Sequence, residues 1–192
     1  MSQPYRFCFH CNRLITRPLR IHISVPDSPG QQKHQTVPFH KVLATPGVRP
    51  VLIVVLTWML AHNILYTYIA PFSALSGMGT HVDAILLIFD LSALAGLIFT
   101  GKIIDNHLRK MVLASLAVFS FVSLLLGLFA YTPAVLIVGS AAWGLTFGGA
   151  ATLLNTALAN AAGDGADVTI SMTVVSWNTA IALGGITGGL IL

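Results

Sequence analysis

Charged side chains are scarce in this chain. Lys and Arg number ten and Asp and Glu six among 192 residues, so charged residues make up 8% of the sequence, against 55% for hydrophobic residues. The mean hydropathy is +0.82. So little polar surface cannot solvate a globule of this length, and the composition excludes a water-soluble fold. The bilayer is the predicted solvent.

Catalytic and nucleotide-binding motifs are also missing. The sequence has no phosphate-binding P-loop, no HExxH motif, no GxSxG nucleophile elbow and no acidic pair placed for hydrolysis. These absences argue against a soluble enzyme. We expect no cofactor and no nucleic-acid partner.

Cysteine is limited to Cys8 and Cys11, which form one CxxC around His10. The later histidines of this region are His22, His34 and His40. A zinc site needs a second ligand pair at a definite spacing, and no second CxxC is present. We therefore expect two free thiols in a reducing cytoplasm and no metal site.

Long uncharged stretches fill the chain from residue 51 onward. Residues 51–72 contain no charge and can cross a hydrocarbon core of roughly 30 Å, because a helix rises 1.5 Å per residue. We predict an all-α integral membrane fold with about five transmembrane helices. The predicted spans are residues 51–72, 84–104, 111–131, 134–159 and 168–192.

Basic residues alternate between the predicted loops. Residues 1–50 contain seven Lys and Arg, the next loop contains none, the loop after the second span contains Lys102, Arg109 and Lys110, and the following turn contains none. Short cytoplasmic loops are enriched in Lys and Arg. We therefore predict a multi-pass protein of the cell inner membrane, with its N-terminus in the cytoplasm.

Proline recurs through the first fifty residues, where it disfavours helices and central strands. These prolines are Pro4, Pro18, Pro26, Pro29, Pro38, Pro46 and Pro50. We predict that residues 1–49 form a basic, largely unstructured cytoplasmic lead and that residues 50–192 form the transmembrane bundle. The lead can contact anionic headgroups or simply hold the topology.

The loop between the second and third spans carries a charged motif. Gly101 is followed by Asp105 four positions on, and then by Arg109 and Lys110. This pattern resembles the signature that the major facilitator superfamily carries between its second and third helices, with a weaker copy between its eighth and ninth. The resemblance implies that these four residues form a conformational-switch loop. A solvated basic turn is the alternative.

Asn106 and Leu108 depart from that signature, in place of a basic residue and a second glycine. Other segments strengthen the resemblance: residues 66–72 (YTYIAPF), 143–149 (WGLTFGG) and 177–185 (WNTAIALGG) are similar to the C-terminal half of the drug:proton antiporter branch, which includes sugar and arabinose efflux permeases. On this alignment, which covers about residues 40–192, the five spans correspond to helices seven to eleven.

The resemblance implies export of a small solute coupled to proton entry, by two six-helix bundles that rock about a central cavity. The chain then represents a truncated C-terminal bundle without helix twelve. Its expected partners are the lipid bilayer, a small-molecule substrate, and either a complementary N-terminal half or a second copy. Two alternatives stay open: a non-transporting membrane interaction protein and an inert gene remnant.

Asp90 is the carboxylate in the middle of a predicted span. A charged Asp at the bilayer centre costs roughly 2.5 to 3.5 kcal/mol, so we expect it to face the bundle or to be protonated. Asp90 is thus the candidate for proton coupling. The alternative is a substitution at a position where relatives typically have glycine.

Polar side chains inside the spans are the candidates for solute contact. His62 and Tyr66 lie four residues apart and share a helix face, beside Asn63. Amide and indole groups suit the orientation of a polar solute, although they can equally hydrogen-bond between helices. The predicted substrate-binding residues are His62, Asn63, Tyr66, Asn155, Trp177 and Asn178.

Glycine pairs spaced four apart occur in the last two spans. Such pairs let helix backbones approach closely in lipid. We predict helix packing at Gly144 with Gly148, Gly184 with Gly188, and Gly185 with Gly189. The family resemblance implies that the last two pairs face the other half of the transporter, so we expect an unpartnered surface here and an isolated chain that self-associates or is degraded.

Overall fold

The computed structural model describes residues 37–191, and every regular element among them is helical. We number the α-helices α1 to α7. They are α1 Phe39–Ala44, α2 Val48–Thr67, α3 Ile69–Leu75, α4 Val82–Leu128, α5 Pro133–Phe147, α6 Ala150–Ala162 and α7 Ala166–Ile191, with 3-10 turns at Gly79–His81 and Gly163–Gly165. The CxxC and the histidines up to His34 lie outside the described residues.

Three helical segments are long and apolar enough to cross a bilayer. They are Val48–Thr67, Gly79–Leu128 and Pro133–Leu190, of 20, 50 and 58 residues. One crossing needs about 20 residues, so the second and third segments each have the length for two crossings. The predicted all-α membrane fold is confirmed, and the count of five spans depends on whether these two segments fold back.

The helix α4 folds back near His107. Its residues Phe89 and Leu126 lie 37 positions apart, which would be about 55 Å along a straight helix. Both nevertheless contact the short helix α5, Leu126 at Gly139 and Phe89 at Gly144. The two halves of α4 must therefore lie side by side. His107, with φ −137° and ψ 23°, is the residue with non-helical dihedral angles inside α4.

The predicted loop at residues 101–110 is consequently not an irregular segment. Every residue of this segment except His107 has helical dihedral angles. A tight reversal between antiparallel helices needs few non-helical residues, so the chain can turn here without an irregular loop. In the third long segment, the break comes at Gly163–Gly165, where Gly163 has φ +52°. Only glycine adopts this backbone conformation without strain.

Pairs of spans run parallel, as they must when successive spans reverse direction. Helix α5 runs parallel to the first half of α4, because Gly144 lies against Phe89 and Gly148, four residues on, lies against Ala93. Helix α7 likewise runs parallel to α2, because Gly184 lies against Asn63 and Gly188 lies against Tyr68 at the end of α2. This arrangement agrees with five alternating spans.

The first predicted span is divided at Tyr68, where α2 ends and α3 begins. The sequence predicted a single span over residues 51–72. Pro71 has no N–H group to donate to the carbonyl of Thr67, and the helix breaks at the next residue.

Residues 37–49 differ from the predicted unstructured lead. Phe39–Ala44 is helical, and Val42 is buried against Gly165. Arg49 Nε donates to the Leu43 carbonyl oxygen at 2.9 Å. The compact unit therefore begins at Val37 and not at residue 50. Residues 1–36 lie outside the described part of the chain.

The glycine pairs lie where helix backbones come closest. A Cβ atom on Gly144 or Gly148 would overlap the carbonyl oxygen of Phe89 or Ala93 on α4. In α7, Gly184 packs on Asn63 Cβ and Gly188 on the Tyr68 ring, while Gly185 has an open Cβ position.

The expected unpartnered glycine surface of α7 is thus partly occupied within the chain. Gly184 and Gly188 are buried, whereas Gly185 and Gly189 are exposed. The cover comes from α2 and from Tyr68, whose hydroxyl donates to the Gly185 carbonyl oxygen at 2.8 Å.

Candidate functional site

Five rings from three helices form what we call the aromatic cluster: His62 and Tyr66 on α2, Phe89 on α4, and Trp143 and Phe147 on α5. The His62 and Phe147 rings are stacked, with centroids 3.5 Å apart and planes at 5°. Phe89 and Trp143 centroids are 4.4 Å apart. Tyr66 packs on Phe89 at 6.0 Å. The cluster therefore ties the first span to the second and fourth.

A hydrogen bond fixes the centre of the aromatic cluster. Trp143 Nε1 donates to His62 Nδ1 at 3.2 Å. An indole N–H can only donate, so Nδ1 accepts and the proton of the neutral imidazole sits on Nε2. Trp143 is fully buried. The His62 ring is held on one face by Phe147 and at one edge by Trp143.

Asn155, Trp177 and Asn178 come together at a second place, which we call the amide pocket. This cavity of about 210 Å³ lies between α6 and α7. Its lining residues are Asn155, Ile170, Thr173, Val174, Trp177 and Asn178. None of these side chains is charged, and three of the six are predicted substrate-binding residues.

Hydrogen bonds inside the amide pocket leave much of its polar capacity free. Asn178 Nδ2 donates to the Val174 carbonyl oxygen at 2.8 Å, and Thr173 Oγ1 donates to the Thr169 carbonyl oxygen at 2.9 Å. Among the described residues, no group hydrogen-bonds the Asn155 amide. The pocket therefore offers a complete amide and an additional acceptor.

Asn63 belongs to neither place. Its Nδ2 donates to the Met59 carbonyl oxygen at 2.7 Å, and its Cβ lies against Gly184. The side chain thus occupies the interface between α2 and α7. The six predicted substrate-binding residues therefore lie in three places: two in the aromatic cluster, three in the amide pocket, and Asn63 at the interface between α2 and α7.

Asp90 lies on α4 beside Phe89 and is exposed on the surface of the described chain. That Asp90 faces the bundle or is protonated stays a prediction. The four motif residues Gly101, Asp105, Arg109 and Lys110 are exposed as well. Within residues 37–191, no ion pair joins Asp105 to Arg109 or Lys110, and no three His, Cys, Asp or Glu side chains converge as metal ligands.

Four residues at or beside these sites were not predicted from the sequence. Phe147 follows Trp143 by four positions, a spacing that places both on one helix face. Thr173 likewise precedes Trp177 by four. Phe89 gave no such signal, since its partners come from other helices. Trp58, buried at 2% exposure, packs on Phe147 at 6.2 Å and extends the aromatic cluster.

The long apolar helices and their reversals define a multi-pass α-helical membrane protein. The chain belongs to the Major Facilitator Superfamily, whose sequence profile matches residues 16–189. This match begins at residue 16, whereas the resemblance seen in the sequence begins at about residue 40. This family consists of transporters.

One relative is the purine ribonucleoside efflux pump NepI of Escherichia coli O157:H7. It is 24% identical over 168 residues, which cover 84% of this chain and 42% of that protein. The chain thus spans less than half the length of this relative. No solved structure gives a significant match.

Proposed function

We propose that this chain forms part of the membrane domain of an efflux transporter that exports a small uncharged solute in exchange for protons. The observation that carries the proposal is the amide pocket, a concave site with free hydrogen-bonding groups in a chain of a transporter family. The relative named as an efflux pump supports outward transport.

The chemistry of the amide pocket favours an uncharged solute. Its lining contains amides, a hydroxyl, an indole and aliphatic groups, and it contains no charge to neutralise an ionic ligand. Purine ribonucleosides are polar and uncharged, and they are the first solutes to test because the relative's name specifies them.

A second bundle completes the transporter in this proposal. Asn155 and Asn178 are exposed on the surface of the described chain, so another body is needed to enclose a solute bound there. Alternating access requires one bundle to move against another. We propose a complementary N-terminal half as this partner, with a second copy as the alternative, and a cytoplasmic N-terminus as the distribution of Lys and Arg predicts.

Asp90 is the proposed proton-carrying group. Its exposure on α4 is costly if it faces hydrocarbon, by roughly 2.5 to 3.5 kcal/mol. A water-filled cavity between two bundles would remove that cost. Such a location would also let the carboxylate exchange protons with solvent, next to the aromatic cluster.

The test is export from cells that co-express the chain with the N-terminal half of a full-length relative. After loading with tritiated inosine, we expect efflux only when both halves are present, and faster efflux at acidic external pH. Asp90→Asn should abolish the pH dependence. Asp83→Asn, which changes a carboxylate in the first turn of α4, is the matched control.

Equal efflux with and without the chain would contradict the proposed function. If Asp90→Asn retained pH-dependent export, transport would stand and the coupling role of Asp90 would be wrong. Efflux from cells that express the chain alone would instead favour self-association over a complementary half.

A further inference from the structure

The two amides of the amide pocket differ in what they still offer to a ligand. Asn178 uses one N–H on the Val174 carbonyl oxygen of its own helix, so its Oδ1 remains an acceptor. Asn155 has no hydrogen-bond partner among residues 37–191, so both of its N–H bonds and its Oδ1 are free. An unpaired amide can hold a donor and an acceptor that lie side by side on one edge of a ligand.

The remaining lining groups suit a flat, uncharged ring. Trp177 is half-buried and presents an indole, and Ile170 and Val174 add aliphatic surface. The Thr173 hydroxyl is already donated to the Thr169 carbonyl oxygen. A ligand that fits this lining has an apolar face and a polar edge, and it has no net charge.

The volume of the amide pocket limits the size of the ligand. Sites for drug-sized molecules occupy roughly 300–1,000 Å³, whereas the amide pocket has about 210 Å³. The pocket therefore accommodates one ring system, and the rest of a larger solute projects outside it. The larger cavity between α4 and α5, of about 510 Å³ and lined by apolar residues such as Val118 and Val138, has no polar side chain to orient a polar solute.

We infer that the amide pocket binds the flat heterocyclic ring of the exported solute, with Asn155 pairing with its polar edge and Trp177 stacking on its face. Asn side chains bind adjacent donor and acceptor atoms of nucleobases in this bidentate way. Aromatic side chains stack on the faces of bases, since every base has a π-face. The class is that of uncharged nitrogen heterocycles with a lactam or amidine edge. This inference rests on the proposed function, since it names the ligand of the same site.

The experiment measures binding directly, apart from export. The chain is reconstituted in lipid nanodiscs together with the N-terminal half of a full-length relative, and binding of tritiated hypoxanthine is measured for the wild-type chain and for pocket variants. We expect Asn155→Leu and Asn155→Asp to weaken binding at least about tenfold, because both remove the N–H donors while Asp keeps the shape. Trp177→Leu should weaken binding about tenfold, and Trp177→Phe less, because phenylalanine retains a stacking face.

Asn160→Leu is the matched control. Asn160 is also exposed on α6 but does not line the cavity, so this variant should bind hypoxanthine like the wild-type chain. Elution of each variant as a monodisperse peak separates lost binding from lost folding. The near-isosteric Asn155→Asp keeps the test usable if Asn155→Leu misfolds.

Two outcomes would overturn the inference. Wild-type affinity in both Asn155 variants and in Trp177→Leu would place the ring elsewhere. Absence of hypoxanthine binding by the wild-type chain together with the N-terminal half would exclude this ligand class. In either case inosine efflux in the co-expression assay would show that the proposed function still holds, whereas loss of efflux with intact binding would contradict the function alone.

Discussion

The aromatic cluster and the amide pocket contain similar side chains, a histidine or amides beside a tryptophan, and use them differently. In the cluster, Trp143 is fully buried and its N–H is donated to His62. In the pocket, Trp177 is half-buried and Asn155 has no partner among the described residues. Satisfied polar groups stabilise a fold, whereas free ones in a cavity are available to a ligand. The difference separates a structural centre from the proposed binding site.

Replacing the two tryptophans provides the strongest test of this separation. Trp143→Ala should destabilise the chain by about 3 kcal/mol, because it empties a buried volume and leaves His62 Nδ1 without its donor. This is the low end for a deleted indole, since lipid contributes little hydrophobic driving force and lost packing dominates. Trp177→Ala should cost less than about 1 kcal/mol and should reduce hypoxanthine binding. The measurement is the free energy of unfolding in SDS titrations, and equal losses for both variants would contradict the comparison.

The stability of the chain should be nearly as sensitive to the close contact of Gly144 and Gly148 with α4. A side chain on Gly148 would overlap the Ala93 carbonyl oxygen, so Gly148→Leu must push α5 away from α4. Overpacking of this kind costs about 1–3 kcal/mol. Gly127→Leu is the matched control, because nothing lies within 4 Å of its Cβ position. Thermal unfolding followed by fluorescence-detected size exclusion measures the stability of both variants. If Gly148→Leu were as stable as Gly127→Leu, the contact between α5 and α4 at Gly148 would not be tightly packed.

The His62 hydrogen bond can be tested without removing the ring. His62→Phe retains an aromatic ring against Phe147 but leaves Trp143 Nε1 without its acceptor. An unpaired buried donor costs about 1–3 kcal/mol. In a double-mutant cycle, His62→Phe should cost much less in the Trp143→Phe background, because no N–H remains to be satisfied. Additive unfolding free energies would mean that the hydrogen bond contributes nothing.

The sequence predicted the membrane fold and singled out three polar residues that line the amide pocket, both for a simple physical reason. Uncharged stretches of bilayer length and polar residues within them are both visible in one dimension. The spacing of His62 and Tyr66 likewise identified one face of α2. These signals all arise within a single helix.

Relations between helices could not be read in the same way. Phe89 joins the aromatic cluster only because α4 folds back and packs on α5, and no alignment of helix faces is encoded in local spacing. The tight reversal at His107 looked like a loop because its charges are those of a loop. Asn63 shares a helix with His62 yet faces α7, since the closest approach of α2 and α7 is set by Gly184.

Tyr68 and Tyr66 allow a comparison of a hydrogen-bonded hydroxyl with an unbonded one, and this comparison has the smallest expected effect on stability. Tyr68 donates its hydroxyl to the Gly185 carbonyl oxygen across the α2–α7 interface, whereas Tyr66 is 43% exposed and no group among residues 37–191 hydrogen-bonds its hydroxyl. Tyr68→Phe removes one interhelical hydrogen bond and keeps the ring on Gly188, so we expect a loss of about 0.6 kcal/mol in SDS titrations. Tyr66→Phe should leave the free energy of unfolding unchanged. If the two variants were equally stable, the Tyr68 bond would not hold the break between α2 and α3 against α7, and the packing of Gly188 alone would have to do so.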